Sequence, residues 1–201
     1  MPSSKMPTWR RLVVYAVVAV FLVLADPRTP TLEIGLGIVA LGEVLRLWAA
    51  GHLVKNRELT VSGPYAHVRN PLYFGTLLVL LGFGVAGSSL ELPGALVAFG
   101  LLPLSLVAFF AAYVPRKRRI EEDRLVRRFG AAAVAYVAAV PALWPRLTPA
   151  RLGPSEGATA TPSTRTFSAG RVTANSEHLT VIAIAIGAAA LVAKRAWIGS
   201  S

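Results

Sequence analysis

The sequence predicts an all-α, polytopic integral membrane protein with about five transmembrane helices. Three observations support this prediction: 54% of the 201 residues are hydrophobic, only 15% are charged, and the mean hydropathy is +0.57. A soluble domain of this length rarely contains so much apolar sequence. The apolar residues also form runs close to the roughly 20 residues that a bilayer span requires.

Four of these runs precede residue 115 and a fifth lies near the C-terminus, at 12–25, 32–50, 72–87, 92–114 and 179–193. The first run is short enough to be mistaken for a signal peptide. No small-residue cleavage site follows it, because Ala25 leads into Asp26 and Pro27, so we expect a retained span. Another apolar piece, 131–144, is interrupted by Pro141 and favours a re-entrant or interfacial helix over a span.

The positions of the charges argue against nucleic acid as the partner of this chain, despite a net charge of +11. The connection 26–31 holds only Arg28 and the connection 88–91 holds no cation, whereas the other connections are basic. This distribution predicts a cytoplasmic location for the N-terminus, for 51–71 and for everything after 115, in the inner or cytoplasmic membrane. The basic residues also face anionic lipid head groups there: Lys5, Arg10, Arg11, Lys55, Arg57, Arg69, 116–119, Arg127, Arg128, Arg146 and Arg151.

The chain divides by composition into three predicted parts. Residues 1–145 form a membrane core, 146–178 form a polar loop or linker, and 179–201 form a C-terminal apolar helix and tail. The last helix carries Lys194 and Arg195 near its end, so it either crosses the membrane against the charge rule or lies in the interface. No metal site is predicted, because the chain has no cysteine and its three histidines lack ligand spacing.

Two clusters at predicted cytoplasmic membrane boundaries suggest one shared site. The first, residues 63–75, combines prolines, glycines and tyrosines with Arg69 and Asn70; the second is the pair Glu121 and Glu122, which follows a basic run. The simpler alternatives are that Arg69 reaches lipid phosphate and that the glutamates balance neighbouring arginines on a solvated helix. On that helix, Glu122 and Leu125 face the protein, whereas Arg124, Arg127 and Arg128 share the outer face.

Glu43 and Arg46 lie three residues apart inside the second predicted span. A structural ion pair is the favoured interpretation. A functional role is the alternative, because ionisable residues inside spans are costly and are often functional.

The two clusters resemble the isoprenylcysteine carboxyl methyltransferase family, within the wider group that includes membrane phospholipid methyltransferases. The matching motifs are LTVSGPY at 59–65, VRNPLY at 68–73 with Gly75, RIEE at 119–122 with Leu125, Phe129, Gly130, Tyr136, Val140 and Pro141, and RLWA at 46–49. The resemblance covers residues from about 45 to 145. The sequence departs from the family at Arg57 and Asn70, where histidine is frequent, and at Ala133, where an aromatic residue is frequent.

The resemblance implies a methyltransferase that binds S-adenosylmethionine in a cytoplasmic-face pocket and methylates a lipophilic or lipid acceptor. Arg69 and Glu121 would be catalytic. An isoprenylcysteine-like carboxylate, a phospholipid amine and a small thiol remain open as acceptors, and an NADPH-dependent sterol-reductase-like enzyme and a non-catalytic scaffold remain alternatives. The cofactor would contact Leu59, Gly63, Pro64, Tyr65, Arg69, Asn70, Pro71, Tyr73, Glu121 and Glu122.

Overall fold

The computed structural model of the protein describes residues 8–54, 58–150 and 166–200. The elements of this part are helices, which confirms the all-α prediction. Predictions that concern Lys5, Arg57, Arg151 or most of the polar loop fall outside the described residues. The helices are α1 (Thr8–Leu24), α2 (Thr29–His52), a 3-10 turn (Gly63–Ala66), α3 (Pro71–Ala86), α4 (Gly94–Leu96), α5 (Leu102–Ala108), α6 (Val114–Phe129), α7 (Ala131–Ala139), α8 (Ala169–Ala174) and α9 (Glu177–Gly199).

Helices α2 and α3 form the closest pair in the fold, and glycines make this contact possible. A Cβ atom at Gly35 would lie 2.4 Å from the backbone nitrogen of Ala86, and one at Gly82 would lie 2.6 Å from the carbonyl oxygen of Gly35. Nearer the other end, a Cβ at Gly42 would lie 2.8 Å from the carbonyl oxygen of Gly75. Small residues at these crossings let the two backbones touch, as is common between membrane helices.

Helices α4, α5 and α6 follow one another as a nearly continuous rod joined by two π-helical turns, Val97–Leu101 and Phe109–Tyr113. The rod changes character along its length. Its first part, Gly94–Ala111, is apolar, whereas α6 carries the charged sequence VPRKRRIEEDRLVRRF. The rod therefore leads from the apolar zone to the charged cluster that contains the two glutamates.

Three of the described helices are long and apolar enough to cross a membrane: Thr29–His52, Gly94–Ala111 and Glu177–Gly199. Two shorter apolar helices, Tyr15–Leu24 and Pro71–Ala86, fall below that length. The prediction of about five spans is therefore supported only in its coarser form, as a helical protein with three candidate spans. Large apolar side chains such as Phe99 and Ile186 are exposed on these helices, which fits a membrane protein.

Helix α9 lies against α2 and runs in the opposite direction. Near its start, Glu177 pairs with Arg46 of α2. Near its end, Lys194 donates hydrogen bonds of 2.7 and 2.8 Å to the carbonyl oxygens of Leu22 and Val23, at the C-terminus of α1. Lys194 thus satisfies helix-terminal acceptors that have no partner within their own helix, which accounts for a cation at the end where the charge rule does not place one.

Candidate functional site

The candidate site lies where the chain between α2 and α3 meets the chain that follows α7. Backbone hydrogen bonds join the two segments: Arg69 donates to Pro141 at 2.8 Å and Arg146 donates to His67 at 3.0 Å. The side-chain amide of Asn70 adds a bond of 2.9 Å to the carbonyl oxygen of Ala142. These bonds bring together two stretches that are about seventy residues apart in the chain.

Helix α7 closes this end through a small apolar core. Gly130 has a φ of 56°, in the region that favours glycine, and this conformation lets α7 turn back from α6. Six buried residues then pack together: Leu59, Phe129, Ala132, Ala133, Tyr136 and Val140. Ala133, where the sequence departs from the methyltransferase motif, is fully buried, so a larger side chain has no free space there.

Tyr136 links this core to the first cluster. Its hydroxyl group donates a hydrogen bond of 2.9 Å to the carbonyl oxygen of Tyr65. Burial raises the pKa of the Tyr136 phenol above its ordinary value, and the nearby charge of Arg69 opposes that shift more weakly. The phenol is therefore neutral at physiological pH and remains a hydrogen-bond donor.

A cavity of about 300 Å³ opens beside these groups. Residues 53–54 and 58–60, the 3-10 turn, the start of α3, the last turns of α6 and the middle of α7 enclose it. Its volume is at the lower end of the range for small-molecule sites. The lining residues are Leu53, Val54, Glu58, Leu59, Thr60, Tyr65, Arg69, Asn70, Pro71, Leu72, Tyr73, Arg124, Leu125, Arg128, Phe129 and Tyr136.

Arg69 and Glu122 are in direct contact. Nη1 of Arg69 lies 2.5 Å from Oε1 of Glu122, and the two side chains are 8% and 25% exposed, respectively. Both residues are predicted to contact a bound cofactor. The structure pairs them with each other, and the opposite charge of Glu122 stabilises the buried guanidinium of Arg69.

The other predicted site residues have different surroundings. Leu59, Tyr65, Arg69, Asn70, Pro71 and Tyr73 line the cavity. Gly63 has a φ of 58°, and a Cβ there would lie 2.7 Å from the ring of His52, so its conformation and packing account for this glycine. Pro64 lines a second, apolar cavity of about 220 Å³ with Trp48 and Phe74. The side chain of Glu121 lies outside the described residues.

Sequence reasoning missed three charged lining residues. Arg124 and Arg128 were assigned to the outer face of α6 together with Arg127, but the structure places these two at the cavity. Their spacing of four residues puts them on one side of a helix, but Arg127, three residues after Arg124, lies close to that side as well, so spacing alone did not distinguish them. Glu58 lay outside every motif, and nothing in the sequence pattern identified it.

The charges at the cavity are mainly positive. Arg69, Arg124 and Arg128 reach its wall, whereas Glu58 is its acidic lining residue. Within residues 8–54, 58–150 and 166–200, no three His, Cys, Asp or Glu side chains lie together as a metal-binding group. Apolar and aromatic side chains make up most of the rest of the lining.

The chain is similar to two curated proteins. It is 35% identical over 119 residues to the cobalt-zinc-cadmium resistance protein CzcN of Cupriavidus metallidurans. The matched segment covers 58% of this chain and 50% of that protein. It is 29% identical over 119 residues to the nickel-cobalt-cadmium resistance protein NccN of Alcaligenes xylosoxydans xylosoxydans, covering 58% of this chain and 51% of that protein. The chain therefore spans about half the length of the curated relatives it matches.

No family model matches the chain, and no solved structure matches it significantly. The relatives carry the names of metal resistance proteins, which differ from the isoprenylcysteine carboxyl methyltransferase family. The assignment to that family and the predicted methyltransferase activity are therefore wrong. The reductase and scaffold alternatives gain no support from these relatives either. Short motifs of glycine, proline and aromatic residues can recur wherever a chain turns tightly at a membrane surface, so they did not determine the family.

Proposed function

We propose that this chain is a membrane protein that contributes to cellular resistance to divalent transition-metal ions. The single observation that carries the proposal is the 119-residue similarity to two proteins named for cobalt, zinc, cadmium and nickel resistance. Since the chain spans about half of those proteins, its activity does not follow from their names alone. We take the cavity between α3, α6 and α7 as the site through which the protein acts.

The charge of the cavity bears on how such a protein would act. Arg69, Arg124, Arg128 and Glu58 line the wall, and Glu122 neutralises Arg69, so the remaining net charge is positive and disfavours a bare divalent cation. An organic molecule with an anionic group is attracted to the same wall, and its apolar part fits beside Leu59, Leu125 and Phe129. In this proposal the protein acts on resistance through such a molecule and does not coordinate the metal in this cavity.

Two predictions about ligands extend the proposal. Binding of S-adenosylmethionine in the cavity stays a prediction, as does contact with a lipophilic or lipid molecule that arrives from the bilayer. Thermal unfolding of the purified protein with S-adenosylhomocysteine, and in detergent with and without added phosphatidylglycerol, measures both. A rise in the unfolding midpoint with one ligand, which disappears in Arg128→Gln, assigns that ligand to the cavity.

The orientation of the site is part of the proposal. The distribution of cations predicts a cytoplasmic location for 51–71, and we propose the same location, at the inner membrane, for the cavity. A site with that orientation has access to cytoplasmic organic anions and to lipids of the inner leaflet.

Growth of a strain that lacks the gene tests the proposal. We expect its tolerance of cobalt, zinc, cadmium or nickel to fall, and to recover when the wild-type gene is returned. Complementation with Arg128→Gln, which alters the cavity wall, should restore less tolerance than Arg127→Gln, which changes a neighbouring exposed arginine outside the lining. Unchanged tolerance of all four metals in the deletion strain would refute the proposal.

A further inference from the structure

Glu43, Arg46 and Glu177 form a charged cluster between two helices that are long enough to cross a membrane. Glu43 and Arg46 belong to α2, and Glu177 is the first residue of α9. The side chains of all three are largely buried, with exposures of 10%, 13% and 7%, respectively. Two carboxylates thus share one guanidinium in an apolar setting, where an uncompensated charge is costly.

The two carboxylates differ in their hydrogen bonds with Arg46. Its Nη2 donates to Oε1 of Glu177, and its Nη1 donates to the hydroxyl of Thr76 and, at 3.3 Å, to the carbonyl oxygen of Leu72. Its Nε lies 3.3 Å from Oε2 of Glu43, but the two groups are not aligned for a hydrogen bond. Arg46 therefore donates a hydrogen bond to Glu177, whereas Glu43 has only an ion-pair contact with it.

The position of each glutamate in its helix also makes a negative charge more favourable on Glu177 than on Glu43. Glu177 lies at the N-terminus of α9, where the helix dipole favours a negative charge. Glu43 lies within α2, and both of its carboxylate oxygens are buried without a hydrogen-bond partner. The charged groups that act on Glu43 are Arg46 and Glu177, and α3, which packs on this face, carries no charged side chain. Nothing else in these helices offsets a second negative charge.

From these contacts we propose that Glu43 is a proton-binding site inside the membrane, and that its proton keeps Arg46 on Glu177 and so fastens α9 to α2. With a proton on Glu43, the cluster reduces to one neutral acid and one ion pair. When the proton leaves, Glu43 becomes a second anion that competes with Glu177 for Arg46, and the bond of Arg46 to Glu177 weakens. The site extends the proposed function by giving the fold a group that responds to proton concentration.

Infrared spectroscopy of the full chain in nanodiscs tests whether Glu43 carries a proton. The wild type at neutral pH should show the carbonyl stretch of a protonated carboxylic acid, and Glu43→Gln should lack it. Glu33→Gln, which changes an exposed glutamate of the same helix, should retain it. Glu177→Gln should lose it as well, because Arg46 then turns to Glu43 and favours its ionised form. If Glu43→Gln fails to fold, Glu43→Asp should shift the band.

A wild-type spectrum with no such band would overturn the proton site. Stabilisation of the protein by sodium or potassium ions, in the absence of the band, would assign the same cluster to a metal cation and would also overturn it. Neither result depends on metal resistance, so failure here is distinct from failure of the proposed function.

Distances between spin labels test whether the proton on Glu43 keeps α9 packed against α2. The chain has no cysteine, so Leu41→Cys on α2 and Ile186→Cys on α9, both exposed, supply unique labelling sites. As pH rises and the acid band disappears, the distance distribution should broaden in the otherwise wild-type protein and stay unchanged in the Glu43→Gln background. A distribution that stays narrow while the band disappears would overturn the fastening role.

Discussion

Tyr136 and Arg69 show at the level of single residues how the candidate site is held together. The hydroxyl group of Tyr136 donates a hydrogen bond to the carbonyl oxygen of Tyr65, and Arg69 pairs with Glu122. Both side chains therefore join segments that are far apart in the chain. The same motif residues that suggested cofactor contacts also have structural roles, because buried polar groups need partners.

We expect Tyr136→Phe to lower the free energy of unfolding by about 0.5–1.5 kcal/mol, because it removes one buried hydrogen bond. Denaturant unfolding in detergent micelles measures this change. Tyr15→Phe, at an exposed tyrosine of α1, is the matched control and should leave the stability unchanged. Equal stability of Tyr136→Phe and the wild type would show that the hydrogen bond to Tyr65 contributes nothing.

The raised pKa of Tyr136 also predicts a pH dependence. A free phenol has a pKa of about 10, and burial raises that of the folded protein above this value. The stabilisation is then fully present below about pH 10 and is lost as pH rises through the folded-state pKa. Unfolding measured from neutral to strongly alkaline pH should show this loss in the wild type and a smaller one in Tyr136→Phe.

Among the helices, contacts made by glycines explain the close approach of α2 and α3. Gly35 and Gly37 are neighbours in sequence on the same helix, but their surroundings differ. A Cβ at Gly35 would overlap the backbone of α3, whereas nothing lies within 4 Å of one at Gly37. Packing between two helices, and not helix formation itself, therefore requires Gly35.

Gly35→Ala should destabilise the protein by about 1–3 kcal/mol, because the helices must separate to admit a methyl group. Gly37→Ala should stabilise it by about 0.5–1 kcal/mol, because alanine is the better helix former. Thermal unfolding in the same detergent compares the two variants directly. If both variants shift the unfolding midpoint in the same direction, the α2–α3 contact is not as tight as these distances indicate.

At the level of the whole molecule, the bundle has two chemically different ends. One end carries the cavity, the two joined segments and the arginines of α6. At the other end, Arg28 pairs with Asp26 and Glu91. A membrane protein with such asymmetry has a defined orientation, which the distribution of cations predicts.

Labelling of single cysteines with a membrane-impermeant maleimide tests that orientation. Leu90→Cys and Leu147→Cys place one cysteine at each end, at leucines that are 87% and 98% exposed, respectively. In intact spheroplasts we expect labelling only of Leu90→Cys, and after permeabilisation we expect labelling of both. The reverse pattern would place the cavity on the outer side of the membrane and contradict the proposed orientation.

Composition and hydropathy along the chain were enough to predict the helical class and its apolar segments, because segment length and hydropathy are local properties that the bilayer selects directly. The sequence also identified most residues of loop 59–73 that line the cavity, since prolines, glycines and aromatic residues mark a shaped turn. It did not determine the family, because the motifs that suggested a methyltransferase are short.

Only the tertiary structure decided which charges meet. The pairing of Arg69 with Glu122, the position of Arg124 and Arg128 at the cavity, and the bond from Arg46 to Glu177 all join separate elements. The predicted ion pair of Arg46 with Glu43, three residues away, is present at 3.3 Å, but the hydrogen bond of Arg46 to a carboxylate runs to Glu177, 131 positions distant. Local spacing ranks nearby partners first, whereas burial in an apolar medium selects whichever carboxylate the packed helices align with the guanidinium.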